Sequence, residues 1–318
     1  MDRRPTMNGV RAAAGRLCGV VTQTPLLPLD WEGRRIWVKA ECLQQGGSFK
    51  LRGATNRLLL MSEAERARGV VAFSSGNHAQ GVARAARSLG IAATIVMPRD
   101  APAVKVEGTR AAGAEIVFFD RDTESREEIG ARLAAEKGAT LVPSFDDIDV
   151  IEGQGSAGVE IEAQLGAPPP AVIVPCGGGG LSSGIALALP DSQVIAVEPE
   201  GWDDMGRSLR LGRIVPVEEP APPTRCDALQ TKLVSPLTFG ALREAGARAL
   251  AVSEAQVAAA MVFAFANLRI VAEPGGAVAL AALISGKAGD VPDGSVVVVS
   301  GGNVDPGLYA EILASETR

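Results

Sequence analysis

Apolar and polar positions alternate regularly along the chain from about residue 69 to residue 145. Short apolar runs, which predict strands, are followed by segments in which Ala, Val and Leu recur at helical spacing. The predicted strands are GVVAFSS (69–75), AATIVMP (92–98), AEIVFFD (114–120) and TLVPSF (140–145), and the predicted helices between them are 77–90, 101–113 and 125–138. Strands that alternate with helices at this spacing indicate βαβ units and a parallel sheet.

A second series of strands and helices begins where the segment FDDIDVIEGQG breaks this rhythm. Its predicted elements are a helix at 154–165, a strand at 171–175, a helix after the glycines at 177–180, a strand at 193–199, surface loops at 203–235, helices at 253–269 and 274–285, and a strand at 294–303. The pattern therefore predicts an α/β protein with two open, twisted parallel sheets that carry helices on both faces. We expect a large domain from 1–68 and 148–318, with a small domain, 69–147, inserted in it.

The composition excludes several classes of protein. The 318 residues carry a formal net charge of −6 and their basic residues are scattered, which argues against a nucleic-acid partner. The longest apolar run, AVALAALIS, is too short to span a bilayer, and no secretory signal is visible. Cys18, Cys42, Cys176 and Cys226 are far apart, which predicts reduced thiols in a cytoplasmic protein. His78 is the single histidine, so neither a His-based metal centre nor a Ser–His triad is expected.

Four consecutive glycines at 177–180 separate a predicted strand from a predicted helix. Because glycine lacks a β-carbon, such a run allows several backbone N–H groups to approach one ligand. At a helix start these groups and the helix dipole favour an anion, usually a phosphate. A flexible turn is the alternative, but the conformational entropy that four glycines lose on folding disfavours it.

Lys50 lies in the segment GGSFKLRGA, at the start of a predicted helix. The positive end of the helix dipole disfavours an ammonium there, so the pKa of Lys50 should fall. A lysine with a lowered pKa is a nucleophile that can form a Schiff base. Taken alone, the segment is more typical of a solvated surface lysine.

Two further polar segments follow predicted strands, where open α/β sheets bind ligands. The segment SSGNHAQG (74–81) offers hydroxyls, an amide and backbone N–H groups, which together could hold a carboxylate or phosphate. Simple helix capping is the alternative. In VVVVSGGN (296–303), Ser300 ends a buried strand and is expected to face a cleft, although an ordinary strand end and turn would give the same pattern.

The segments SFKLRGA, SSGNHAQG and GGGGL, in this order and with Ser300, resemble the serine/threonine dehydratase and serine racemase family. The resemblance runs from TQTPLL near residue 22 to SGGNVD at 300–305. It implies a pyridoxal-phosphate enzyme of the tryptophan-synthase-β fold (fold type II), cytoplasmic and homodimeric. The implied reaction is that of an ammonia-lyase, which converts a β-hydroxy amino acid, L-threonine or L-serine first, into a 2-keto acid and ammonia. Serine racemisation and dehydration of threo-3-hydroxyaspartate are the alternatives.

The resemblance also implies roles for individual residues. Around the pyridoxal phosphate it places Phe49, Lys50, Asn77, Gly177, Gly178, Gly179, Gly180, Leu181, Glu273 and Ser300. Lys50 would bind the cofactor covalently and then act as the base at Cα, the glycines would bind the phosphate, and Ser300 would bond the pyridine nitrogen. Around the substrate carboxylate it places Ser48, Ser75, Gly76, Asn77 and His78.

Two of these features bear on which reaction is catalysed. In racemases of this family a serine at the position of Ser75 protonates Cα on the face opposite the lysine, whereas many threonine dehydratases have alanine there. Simple dehydratases can also carry the serine, so Ser75 permits racemisation without proving it. In RCDALQT (225–231), Ala228 replaces a glycine that relatives often have after Asp227. The sequence therefore does not determine the shape of the substrate pocket or the choice of substrate.

An acidic segment, EPEGWDDMG, matches the cation site of the racemase-like branch. There a divalent cation is held by a Glu, a backbone carbonyl four residues later and an Asp six residues later, which here are Glu198, Trp202 and Asp204. Hard oxygen ligands favour Mg²⁺ or Ca²⁺, and Mn²⁺ is also possible. A solvated acidic loop is the alternative.

Two other classes of function stay open at this point. In a nicotinamide-dependent dehydrogenase the glycine loop would hold a pyrophosphate and Glu198 a ribose, but Ser182 or Ser183 occupies the place of the third glycine. This interpretation also leaves Lys50 and Ser300 without a role. A non-catalytic amino-acid or nucleotide-binding module is the third option, and a purified protein without cofactor absorbance would favour it.

Overall fold

The computed structural model of the protein describes residues 3–74, 76–101, 103–120 and 123–316. The strands of these residues are β1 (Leu26–Trp31), β2 (Arg34–Ala40), β3 (Val70–Phe73), β4 (Ala93–Pro98), β5 (Glu115–Phe119), β6 (Thr140–Leu141), β7 (Ala171–Pro175), β8 (Gln193–Pro199), β9 (Arg248–Val252) and β10 (Val296–Val299). The helices are α1 (Met7–Leu17), α2 (Lys50–Leu59), α3 (Glu63–Arg68), α4 (Asn77–Ser88), α5 (Ala103–Ala111), α6 (Arg126–Lys137), α7 (Ile148–Leu165), α8 (Gly180–Ala188), α9 (Asp204–Leu211), α10 (Pro236–Glu244), α11 (Glu254–Phe263), α12 (Pro274–Ile284) and α13 (Pro306–Glu316).

The described strands form two sheets. The larger has the strand order β1-β2-β10-β7-β8-β9, in which only the edge strand β1 is antiparallel to its neighbour. The smaller has the order β5-β4-β3-β6 and is parallel throughout. The predicted α/β class is therefore confirmed. The strands of the smaller sheet come from residues 70–141, and we propose that residues 69–147 form the inserted small domain.

The central strands of the larger sheet bury side chains on both faces, which explains their uninterrupted apolar sequences. Along β10, Val297 and Val299 belong to a buried cluster that includes residues of α11, α12 and α13. Val296 and Val298 belong to a second cluster, on the other face, that includes residues of α7, α8 and α10. Helices thus cover both faces of this sheet. No helix of the described residues is both long and apolar enough to cross a membrane.

Several predicted boundaries were wrong for local reasons. Helix α7 begins at Ile148 rather than 154, because the side chain of Asp147 caps it by accepting from the N–H of Val150. Strand β6 ends at Leu141, and the predicted extension to 145 contains Pro143, which has no N–H for a sheet ladder. The region 203–235 is not loop throughout, since α9 lies within it.

The sequence pattern also left some elements unassigned or too long. It gave no assignment to the helices α1, α3, α10 and α13 or to the strands β1, β2 and β9. The helix predicted at 253–269 is α-helical only to Phe263 and continues as a π-helical turn, Ala264–Leu268. The four cysteines are free, as predicted, and three of them are buried.

Candidate active site

Lys50 is the first residue of α2, and this helix start lies against the end of β10. The N–H of Phe49 donates to the carbonyl oxygen of Ser300 at 3.2 Å, and Ser48 is buried in an isolated antiparallel bridge with Gly301. Ser300 is itself buried at the end of its strand. Lys50 and Ser300, which are far apart in the sequence, are therefore brought together by the pairing of these two segments.

The amine of Lys50 is in an environment that favours its neutral form. Its Nζ donates to the carbonyl oxygen of Ser144 at 3.0 Å and lies 5.2 Å from the centroid of the Phe49 ring. Burial lowers the pKa of Lys50 from 10.5 to about 8, because the charged form loses its hydration. A lysine amine with this pKa can attack a carbonyl carbon or accept a proton near neutral pH.

A buried cluster of charges fixes the start of α2. The Arg52 guanidinium donates to both carboxylate oxygens of Glu41, at 2.7 and 2.8 Å, and to both of Glu160, at 2.6 and 2.7 Å. The ammonium of Lys39 donates to Glu160 at 2.7 Å. The side chains of Arg52, Lys39 and Glu41 are fully buried, and the two positive charges match the two negative ones. Removing one member would leave its partner as an uncompensated buried charge.

The glycine loop follows β7 and leads directly into α8. Gly179 has a φ of 86° and caps α8, whose first residue is Gly180. A β-carbon on Gly178 would overlap the ring of Phe145, so the close approach of these two segments requires glycine there. The loop lines a narrow cavity of about 60 Å³. The sequence-predicted cofactor residues that line this cavity are Phe49, Lys50, Asn77, Gly177, Gly178, Gly179, Gly180, Leu181, Glu273 and Ser300.

Asn77 and Glu273 form a hydrogen-bonded pair in the wall of this cavity. The Asn77 side-chain amide donates to Oε1 of Glu273, and its carbonyl oxygen accepts from Asn303 at 2.8 Å. Burial, followed by the negative charge of Asp227, raises the pKa of Glu273 to about 7. Oε2 of Glu273 is buried without a hydrogen-bond partner in the part of the chain that the structure describes. This carboxyl can therefore receive a donor from a bound group.

A second, larger cavity of about 540 Å³ shares Lys50 and Asn77 with the first and is also lined by Gly76 and His78. Nε2 of His78 lies 2.8 Å from the carbonyl oxygen of Val142. Burial, and then the charge of Lys50, lowers the pKa of His78 to about 3, so the ring is neutral and Nε2 carries the proton. Ser75, the other sequence-predicted residue of this segment, lies outside the described residues.

Sequence reasoning missed several residues of this site. Ser144 and Phe145, assigned to a strand, form part of the wall of both cavities, and Arg126 lines the larger one. Lys105, on α5, forms an ion pair with Asp227, another residue that lines the larger cavity. The proline at 143 is the signal that could have shown that the strand ends before Ser144.

The predicted cation residues line neither cavity. They lie at the end of β8 and the start of α9, where Met205 is beside Gly179 of the glycine loop. Both carboxylate oxygens of Glu198 accept backbone N–H groups, from Met205 at 2.9 Å and Gly206 at 2.8 Å. The oxygens of Asp204 are buried without a well-formed hydrogen bond to any described residue. Burial and the neighbouring carboxylate raise the pKa of Glu198 well above its ordinary value, and burial raises that of Asp204 to about 7. Trp202 lies between them in the sequence, and its indole N–H donates to the carbonyl oxygen of Pro222.

This cation set contains fewer acidic side chains than many metal centres. The described residues hold no group of three or more His, Cys, Asp or Glu side chains that could bind a metal ion. The two carboxylates and one carbonyl at 198–204 would therefore need water to complete a coordination shell.

Comparisons with known proteins bear on the family and the fold of the chain. Residues 17–302 match the family model described as pyridoxal-phosphate dependent enzyme. The chain is 47% identical to an L-threo-3-hydroxyaspartate ammonia-lyase from a Pseudomonas species, over 95% of this chain and 96% of that enzyme. The solved structure of maize serine racemase superposes with a TM-score of 0.91 at 34% identity, covering 99% and 98% of the two chains. The serine racemase of Dictyostelium discoideum superposes with a TM-score of 0.86 at 34% identity, covering 95% and 99%.

Proposed function

Because this chain belongs to the family of pyridoxal-phosphate dependent enzymes, we propose that it is an ammonia-lyase that converts a β-hydroxy amino acid into a 2-keto acid and ammonia. The observation that carries the proposal is the position of Lys50. Its amine has a pKa of about 8 and lies in one cavity with the glycine loop and Ser300. These are the groups that a phosphorylated pyridine aldehyde requires: a neutral amine, a cradle of backbone N–H groups and a partner for the ring nitrogen.

The residues present fit the cofactor. Lys50 would hold its aldehyde carbon, the N–H groups of 177–180 would bind the phosphate, and Phe49 would lie against the ring. Ser300 would form a hydrogen bond with the pyridine nitrogen, and Asn77 and Glu273 would lie beside the substituents of the ring. When bound, the cofactor supplies the electron sink for the charge that remains after the Cα proton is removed.

Residues of the protein would transfer the protons and bind the substrate. Lys50 is the base that takes the Cα proton, since its neutral form is accessible near pH 8. The loop that contains Gly76, Asn77 and His78 would bind the substrate carboxylate through backbone N–H groups at the start of α4. Because His78 stays neutral and donates to the carbonyl oxygen of Val142, it holds this loop in place rather than supplying a charge.

We favour L-threo-3-hydroxyaspartate as the substrate, ahead of L-threonine and L-serine. The support is the 47% identity over nearly the whole length of an enzyme that carries that substrate in its name. A second support is the lining of the larger cavity, where the Arg126 guanidinium lies 5.7 Å from the centroid of the Phe73 ring. A guanidinium in the lining of this cavity can pair with the second carboxylate of such a substrate in place of Glu127, its present partner, which also lines the cavity.

The first experiment is a proton NMR time course in D₂O with the cofactor-loaded enzyme and each of the three amino acids in turn. Formation of a 2-keto acid from any of them supports the lyase and identifies its substrate. Lys50→Ala should abolish both cofactor binding and turnover. If none of the amino acids changes although the cofactor is bound, the proposed function is wrong.

Racemisation is the second candidate, and Ser75 is the residue that supports it. In the same time course, loss of the Cα proton signal without loss of the amino acid would indicate racemisation. Ser75→Ala should remove that exchange while elimination continues. Equal racemisation by the variant would exclude Ser75 as the proton donor.

We also propose a divalent cation, Mg²⁺ first and Ca²⁺ or Mn²⁺ as alternatives, at Glu198, the carbonyl of Trp202 and Asp204. The buried oxygens of Asp204, which have no well-formed hydrogen bond to any described residue, support it, and each oxygen of Glu198 keeps a second lone pair besides the one that accepts an N–H. Mg²⁺ should raise the unfolding temperature of the wild type and a chelator should lower it. Asp204→Asn should respond to neither, and an indifferent wild type would exclude the site.

The assembly and location of the protein remain proposals from the family resemblance. We expect a homodimer in the cytoplasm. Light scattering coupled to size-exclusion chromatography would test the dimer, and fractionation of cells of the source organism would test the location.

A further inference from the structure

An ion pair joins the region of the smaller sheet to a loop of the larger one beside the substrate cavity. Lys105, on α5, contacts the carboxylate of Asp227, which begins a 3₁₀ turn at Asp227–Leu229. The Lys105 side chain is only 7% exposed, whereas that of Asp227 is 40% exposed. The positive charge is therefore held in the protein and its negative partner is partly in solvent.

The ammonium of Lys105 lies beside the loop that we expect to bind the substrate carboxylate. Its Nζ is 3.7 Å from the position that a β-carbon on Gly76 would occupy. Gly76 and Asp227 both line the cavity of about 540 Å³. Lys105 and Asp227 act in opposite directions on the pKa of Glu273, so both are within electrostatic reach of the cofactor cavity.

Lys105 does not itself line the cavity, but its charge is less screened by water than that of Arg126, which does. The Arg126 side chain is 44% exposed and pairs with its neighbour Glu127 at 2.8 Å. Solvent and salt weaken exposed charges strongly and buried charges much less. An anionic group that enters the cavity close to Gly76 therefore lies near the charge of Lys105, which water screens less than it screens the charge of Arg126.

We propose that Lys105 determines specificity by providing the positive charge that favours a substrate with a second carboxylate over L-threonine or L-serine. The inference rests on the proposed ammonia-lyase function and adds the residue that selects the substrate side chain. Asp227 holds the ammonium in place, and its own negative charge opposes the second carboxylate. The two members of one ion pair therefore have opposite effects on substrate preference.

Opposite effects distinguish this role from a structural one. If the pair only clamps the two regions together, breaking it from either side should have the same effect on every substrate. If Lys105 attracts the second carboxylate, Lys105→Met lowers the preference for the dicarboxylate and Asp227→Asn raises it. Lys105→Arg keeps the charge and should keep the preference.

The experiment measures kcat/KM of the cofactor-loaded variants for L-threo-3-hydroxyaspartate, L-threonine and L-serine. Lys105→Met should lower kcat/KM for the hydroxyaspartate at least about tenfold, which is about 1.4 kcal/mol, and should lower kcat/KM for the other two substrates less than about twofold. Asp227→Asn should raise the ratio of hydroxyaspartate to threonine activity. The matched control is Lys137→Met, which removes a lysine of α6 that is paired with Glu115 on the smaller sheet, and its ratio should equal that of the wild type.

Each other result has a distinct meaning. An equal loss on all three substrates, or a change in the same direction for Lys105→Met and Asp227→Asn, would overturn the inference in favour of a clamp. A wild type that acts on threonine or serine but not on the hydroxyaspartate would also overturn it, while the ammonia-lyase function would stand. If Lys105→Met fails to load cofactor, Asp227→Asn and Lys105→Arg still decide the question. A wild type that loads cofactor but converts none of the three would overturn the proposed function itself.

Discussion

The pH dependence of cofactor uptake tests the environment of Lys50 directly. With a pKa of about 8, about 9% of the Lys50 amine is neutral at pH 7, whereas a solvated lysine with a pKa of 10.5 has about 0.03%. The neutral fraction at pH 7 is thus on the order of 300-fold larger in the protein. Because only the neutral amine attacks an aldehyde, the rate of cofactor uptake should reach half of its maximum near pH 8.

The assay mixes apoenzyme with pyridoxal phosphate in a stopped-flow instrument and follows the visible absorbance from pH 6 to pH 10. Nα-acetyl-lysine, measured at the same pH values, is the control, because it shares the ionisations of the cofactor but not the burial of Lys50. Its half-maximum should lie above pH 10. If uptake by the protein follows the control and still rises at pH 10, the argument that burial activates Lys50 is wrong.

Three further predictions concern stability and ionisation. Arg52→Met should lower the free energy of unfolding in urea by about 3–5 kcal/mol, because Glu41 stays buried with the hydroxyl of Thr24 but without its ion-pair partner, and a loss below 1 kcal/mol would contradict the buried cluster. Gly276→Ala should lower the free energy of unfolding by about 1–3 kcal/mol, because its β-carbon would overlap a backbone carbonyl oxygen just after β10. Gly240→Ala, which has open space around it, should raise the free energy of unfolding by about 0.5–1 kcal/mol. With a pKa of about 3, His78 should show no titration by NMR between pH 8 and pH 5. The folded state should also lose stability as pH falls below 6.5, because there only the unfolded chain takes up a proton at this histidine. An imidazole that titrates above pH 5 would refute its burial.

The sequence by itself determined the class of fold and the segments that line the narrow cavity beside Lys50. The alternation of apolar runs with helical segments predicts parallel sheets, because only strands buried on both faces have uninterrupted apolar sequences. Four glycines between a strand and a helix indicate an anion cradle from local backbone properties alone. Lys50 at the start of a helix is likewise a local signal.

The tertiary structure decided what surrounds these segments. Nothing local connects Ser144 to Lys50, and their hydrogen bond exists because the chain after β6 turns toward α2. The Lys105–Asp227 ion pair joins two regions of the chain, and no local pattern in the sequence connects its members. The extent of the shift in the pKa of Lys50 also depends on burial by distant residues, because desolvation is set by the whole cavity and not by the neighbours in sequence. A local pattern can therefore predict which backbone can hold an anion, whereas the charges beside the larger cavity are assembled only when the two sheets are brought together.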